Sequence, residues 1–204
     1  ADDPRTAAAE IDLLRTELNI ASRKELRRKF VVMPSSTQQK PLTSDEAESY
    51  SRILARMDRV LTLLNGAQKS AIALERTRML YESGKRALAI EGFTQLISET
   101  AAQKDSALER RAALAALLDQ AMADEARTTL EALIARRDFG KDPEALKLLE
   151  QATLQREILV LKKPASESEK LGIIDLLSRR IEAHETLPEA VITTVATERA
   201  ARLL

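Results

Sequence analysis

This sequence predicts an all-α chain, and three observations carry the prediction. The apolar share is 44% of 204 residues, yet only three Phe, two Tyr and no Trp contribute to it; Leu, Ala and Ile supply most of the rest. Together with abundant Glu and Arg, these are side chains that lose little rotamer freedom in a helix. Five Gly and six Pro leave few breaks. Apolar residues also recur at three- and four-residue steps over long stretches, the period of a helix with one buried face.

The elements follow in order. A first helical region is expected from residue 4 to about 29, with Ile11, Leu14 and Leu18 on one stripe, a break near Asn19 to Ser22 and a basic far end. The stretch FVVMPSSTQQKPLT, residues 30 to 43, has no helical period and reads as a linker or a strap across the helices. Residues 1–43 therefore form an N-terminal helix plus linker, and 44–204 a helical-hairpin domain. Thr43-x-x-Glu46 is a capping box that opens the next helix. That helix carries Tyr50, Ile53, Leu54, Met57, Val60, Leu61 and Leu64 on a broad face and stops at Asn65-Gly66, where Gly tolerates a left-handed backbone. Helices over about 67–83, 85–102, 104–119 and 122–137 come next. Asp142-Pro143 caps a seventh that ends by Lys163, because a proline at the first helical position loses no hydrogen bond. Ser166-x-x-Glu169 opens an eighth through Leu171, Ile174, Leu177 and Ile181, and Pro188 the last, with Val191, Val195 and Leu203 apolar. About nine helices joined by short turns make antiparallel neighbours.

Within this array, Tyr81 to Phe93 reads YESGKRALAIEGF. Gly84 is followed by Ala89 and Phe93 at offsets of five and nine, with Leu80 four residues before it; Ala121, Ala126 and Leu130 repeat the offsets 37 residues on, with Leu117 matching Leu80. Over residues 70–138 this spacing resembles the turn and second helix of a tetratricopeptide repeat. The chain departs from that pattern at Ala73, Thr77 and Ala101, where the family favours Trp, a small residue and Pro, and in its interval, longer than the usual ~34 residues. The resemblance implies a right-handed α-solenoid of antiparallel hairpins, in which the small residue at 89 lets helices approach and Phe93 fills between them. A closed bundle with the same helix order is the alternative. It also implies a concave groove lined by first helices, with Leu74, Arg78, Tyr81, Glu82, Arg111, Ala115 and Leu118 as candidate peptide contacts. On the plainer reading Leu74 and Leu118 are core, and Arg78, Glu82 and Arg111 are solvated charges.

Charge and composition exclude several classes of function. Lys plus Arg and Asp plus Glu number 32 each, so no net field draws the chain to nucleic acid or an acidic membrane. Cysteine is absent, which removes disulfides, thiolate metal sites and cysteine nucleophiles. No apolar run approaches the ~18 residues a membrane span needs, and a soluble protein is expected. The one histidine, His184, sits at a helix end between acidic residues and reads as a cap-side residue rather than a catalyst. No phosphate loop, zinc-binding helix or calcium loop is present, and scattered acids at helix starts answer the macrodipole. Three origins fit Ala1 followed by acidic residues: a product trimmed on export, a cytoplasmic protein that has lost Met, or an excised piece of a longer chain; the first, with a periplasmic location, is favoured. Arg23, Lys24, Arg27, Arg28 and Lys29 read as a solvated helix end, with binding to an acidic partner or anionic lipid as the alternative, and Phe30-Val31-Val32-Met33 as a segment that docks on the helices or on a second chain. The expected function is a noncatalytic adaptor, chaperone-like factor or assembly scaffold with a protein or peptide partner and neither metal nor cofactor. The alternative is a structural protein that self-associates through the 30–33 segment and the long second helix.

Overall fold

A computed structural model of the chain describes residues 4–23 and 41–201. The segment at 30–33, the basic residues 24–29 and Leu203 lie outside the described residues. Every regular element described is helical: α1 (Pro4–Arg23), α2 (Ser44–Leu63), α3 (Gly66–Glu82), α4 (Arg86–Glu99), α5 (Ala107–Ala123, preceded by a 3-10 turn at Lys104–Ser106), α6 (Arg127–Ile134), α7 (Pro143–Lys162), α8 (Glu167–Glu182) and α9 (Glu189–Ala201). Among the described residues no helix is long and apolar enough to cross a membrane.

The caps form where local chemistry calls for them. Thr43 accepts from the Glu46 amide at 3.3 Å while the Glu46 carboxylate accepts from the Thr43 amide at 2.8 Å. Asp142 Oδ1 accepts from the amides of Glu144 and Ala145 at the head of α7, and Ser166 accepts from the Glu169 amide at the head of α8. Each bond satisfies an amide that the first helical turn leaves without a partner. α1 runs unbroken through Asn19–Ser22, where a break was expected, because the helix cost of Asn and Ser is only a few tenths of a kcal/mol above that of good formers.

Three helices end in the same way. After α3, Gly84 takes φ +82°, its amide donates to Tyr81 O and the Lys85 amide donates back to Leu80 O at 2.9 Å. After α5, Glu125 takes φ +47° and the Ala126 amide reaches Ala121 O at 2.8 Å; after α8, His184 takes φ +58° and the Glu185 amide reaches Arg180 O at 3.0 Å. This is the left-handed helix stop usually given to glycine. The second stop therefore falls at Glu125, not at Ala121, and α5 extends beyond its expected end near 119. Ala121 is a buried residue inside α5, Ala126 follows the turn and Leu130 is buried on α6. The turn position recurs 41 residues after Gly84, from 84 to 125, rather than 37.

The chain divides into two compact units, Ala1–Ala126 with Arg136–Leu148, and Arg127–Ala135 with Leu149–Leu204. In the first, α1 packs on α2, α2 on α3, α3 on α4 and α4 on α5, and α3 also meets α5. α1 thus packs on α2 within this unit. Direction is fixed by ion pairs: Arg56 holds Glu10 at 2.9 Å and Glu17 at 2.8 Å, while Arg52 lies 3.8 Å from Glu17. A later residue of α1 meets an earlier one of α2, so the two helices run antiparallel. The broad stripe of α2, with Tyr50, Ile53, Met57 and Val60 buried, is consumed inside this unit. Leu80, Ala89, Phe93 and Leu117 are buried as well, Phe93 completely. In the second unit Val160 of α7, Ile173, Ile174 and Leu177 of α8, and Val191 and Val195 of α9 close one apolar cluster. Burying each such side chain contributes roughly 1.5–3 kcal/mol.

Candidate functional site on α2, α3 and α4

The close approach of α3 and α4 depends on a glycine. A Cβ built on Gly92 would stand 2.7 Å from Thr77 Oγ1 and 3.0 Å from Thr77 Cγ2, nearer than non-bonded atoms settle. Thr77 is itself buried and tied down, its hydroxyl donating to Ala73 O at 2.8 Å. Here the larger residue is on α3, and the space it needs comes from Gly92 on α4. Neither helix alone reveals this exchange.

Beside that contact lies a hollow of about 270 Å³. Leu61 of α2, Ala73 and Thr77 of α3, and Gly92 and Leu96 of α4 give it a largely apolar floor, and Asp58, Lys69, Arg76, Gln95 and Glu99 stand at its rim. Arg76 donates to Asp58 at 2.5 Å and Gln95 donates to Glu99 at 2.6 Å. The small residues make the concavity: Ala73 and Gly92 occupy inner positions where larger side chains would fill the space.

The seven groove positions read from the sequence do not converge on an open surface. Leu74, Tyr81, Glu82 and Leu118 are only 8%, 3%, 5% and 1% exposed. Glu82 accepts a buried 2.8 Å hydrogen bond from the Tyr50 hydroxyl. Tyr81 accepts from Arg86 Nη2 at 2.6 Å, and Arg86 Nη1 donates to both carboxylate oxygens of Asp124 at 2.6 and 2.9 Å. Burial raises the pKa of the Tyr81 phenol, with Arg86 opposing it. Arg111 lies 3.7 Å from Asp142, Arg78 lies 3.9 Å from Glu75, and Ala115 is half-buried. The physical reason is α3 itself. It packs on α2, α4 and α5 together, so its candidate contacts are spent on packing, as the plainer sequence reading had it for Leu74 and Leu118. Arg110, not singled out from sequence, is also structural: it donates to Thr100 O and Ala101 O at the end of α4, where a cation complements the helix dipole.

Among the described residues no three His, Asp or Glu side chains gather as a metal site would require. His184 sits in the left-handed turn after α8, the cap-side position expected of it. No family model, curated protein or solved structure matches the chain.

Proposed function

We propose that this chain is a noncatalytic protein-interaction module that holds a protein or peptide partner at the hollow on α2, α3 and α4. The observation that carries the reading is that hollow: about 270 Å³, floored by Leu61, Ala73, Thr77, Gly92 and Leu96 and bordered by both signs of charge, a setting that can anchor one side chain and orient the segment bearing it. Helical hairpins stacked in chain order, with α3 meeting α5 across α4, support the solenoid reading over a closed bundle, since first helices of neighbouring repeats meet in this way. The groove moves accordingly from the α3 and α5 face read from the sequence to the opposite side of α3.

The test is affinity capture with variants that alter the rim and leave the fold alone. Lys69 and Gln95 are exposed, so Lys69→Glu and Gln95→Trp should retain helical content and thermal midpoint. Each should reduce the retained partner by about tenfold, roughly 1.4 kcal/mol, while Glu144→Lys on exposed α7 surface leaves it unchanged. Full retention by both rim variants refutes the site.

A further inference from the structure

α1 has two apolar faces, and α2 covers one. Leu14 is buried, with Ile11 and Leu18 half-buried beside it. The other face carries Thr6, Ala9, Leu13, Thr16 and Ile20, at steps of three, four, three and four residues, and all five are exposed. Leu13 and Ile20 are 50% and 44% exposed, large values for such side chains. This is the spacing of a helix–helix seam. Thr16 completes it without a polar cost, because its hydroxyl already donates to Asp12 O at 2.8 Å and its methyl is left to the surface.

The borders of the seam are balanced within the chain. On one side Glu10 and Glu17 are held by Arg56 and Arg52; on the other Asp12 pairs with Arg15 at 3.4 Å. Among these described residues the charges cancel, and a second copy with the same borders meets this face without net like-charge repulsion. The order of side chains is also self-complementary. Two α1 helices laid antiparallel about a twofold axis put Leu13 against the second copy's Thr16, and Ile20 against its Ala9. Each large side chain then faces a small one, which lets the axes approach closely. A parallel pair would instead stack Leu13 on Leu13 and leave two alanines facing across a gap.

We infer that α1 mediates antiparallel self-association of this chain through Ala9, Leu13, Thr16 and Ile20. This replaces the route through α2 that the sequence suggested, since the α2 stripe is buried within its own unit. It is independent of the hollow. A single helix pair buries less than the ~1,200 Å² of a standard interface, so the dimer is weak and concentration-dependent.

Sedimentation from roughly 10 to 500 µM should show the mass rising toward twice the monomer value. Leu13→Glu should keep the helical spectrum and thermal midpoint, because Leu13 is half exposed, yet remain monomeric at the top of the range. The chain contains no cysteine, so single cysteines report the register. A mixture of Leu13→Cys and Thr16→Cys chains should oxidise mainly to the mixed dimer, with less of either self-linked species. A monomer at every concentration, a dimer indifferent to Leu13→Glu, or preferential Leu13→Cys self-linkage as in a parallel pair would each overturn the inference.

Discussion

Gly92→Ala isolates the α3–α4 contact, and its effect is worked from two opposing quantities. Alanine is the better helix former by about 1 kcal/mol. Against that, the new methyl would stand 2.7 Å from Thr77 Oγ1 and 3.0 Å from Cγ2. Both branches of Thr77 are in the way, so turning χ1 exchanges one clash for the other, and it also gives up the hydroxyl bond to Ala73 O. Overpacking of this kind costs about 1–3 kcal/mol, leaving a net loss of about 1 kcal/mol. In a Thr77→Ala background the obstruction is gone, and Gly92→Ala should instead stabilise by up to about 1 kcal/mol. The sign of one substitution reverses with the identity of the other, a coupling of about 2 kcal/mol. Urea unfolding followed by tyrosine fluorescence measures it cleanly, since Tyr50 and Tyr81 are the only tyrosines, the chain has no Trp, and both lie in the first unit. Equal effects of Gly92→Ala in both backgrounds, within the ~0.5 kcal/mol scatter of additive sites, would refute the account of how these helices approach.

Three further outcomes are expected. In the second unit Glu131 and Glu169 have pKa values held below the ordinary carboxylate value, chiefly by hydrogen bonds from Arg127. Their stabilisation is therefore fully present above the unfolded Glu value of about 4.3 and is lost as pH falls through the lower folded values; acid unfolding followed by circular dichroism should show this decline, and Glu169→Gln should flatten it. His184→Gly and Glu125→Gly relieve left-handed strain in side-chain-bearing residues, and each should stabilise its helix stop by about 0.5–1 kcal/mol in thermal melts; destabilisation would contradict the turn assignment. Tyr81→Phe removes the acceptor of Arg86 and should cost about 1 kcal/mol, whereas Tyr81→Ala empties a buried site and should cost about 3–5 kcal/mol in urea titration.

Features set by chemistry within one turn were legible in the sequence. Thr43 bonds Glu46, Ser166 bonds Glu169, and Asp142, just before Pro143, bonds Glu144 and Ala145, partners two or three residues apart, and all three open helices where their spacing indicates. Gly84 was legible for the same reason. Glu125 was not: an acidic residue has no intrinsic preference for the left-handed region, so nothing local marks it as a stop, and the match by offset settled on Ala121. The burial of Leu74, Tyr81, Glu82 and Leu118 was not legible from amphipathicity alone, which assumes a helix with one buried side. α3 has three packing partners, and residues as polar as Thr77 and Glu82 are buried on it. Gly92 carried a signal, a glycine inside a helix at a cost of about 1 kcal/mol, which asks for a close neighbour; its pairing with Thr77 across 15 positions needs the tertiary structure.

The hollow and the close helix contact depend on the same glycine, which lets packing be separated from binding. Gly92 brings α4 against Thr77 and, having no side chain, leaves bare the wall that Leu61, Ala73 and Leu96 complete. In the Thr77→Ala, Gly92→Ala chain two side-chain atoms leave and one arrives, so the floor stays apolar and the concavity is not filled. Lys69 and Gln95 at the rim are untouched by the exchange. Partner capture by this double variant should therefore match the parent even where its unfolding midpoint differs, while Lys69→Glu loses capture at an unchanged midpoint. If capture instead follows stability across the whole set, the partner is reading the integrity of the helical array and not the hollow.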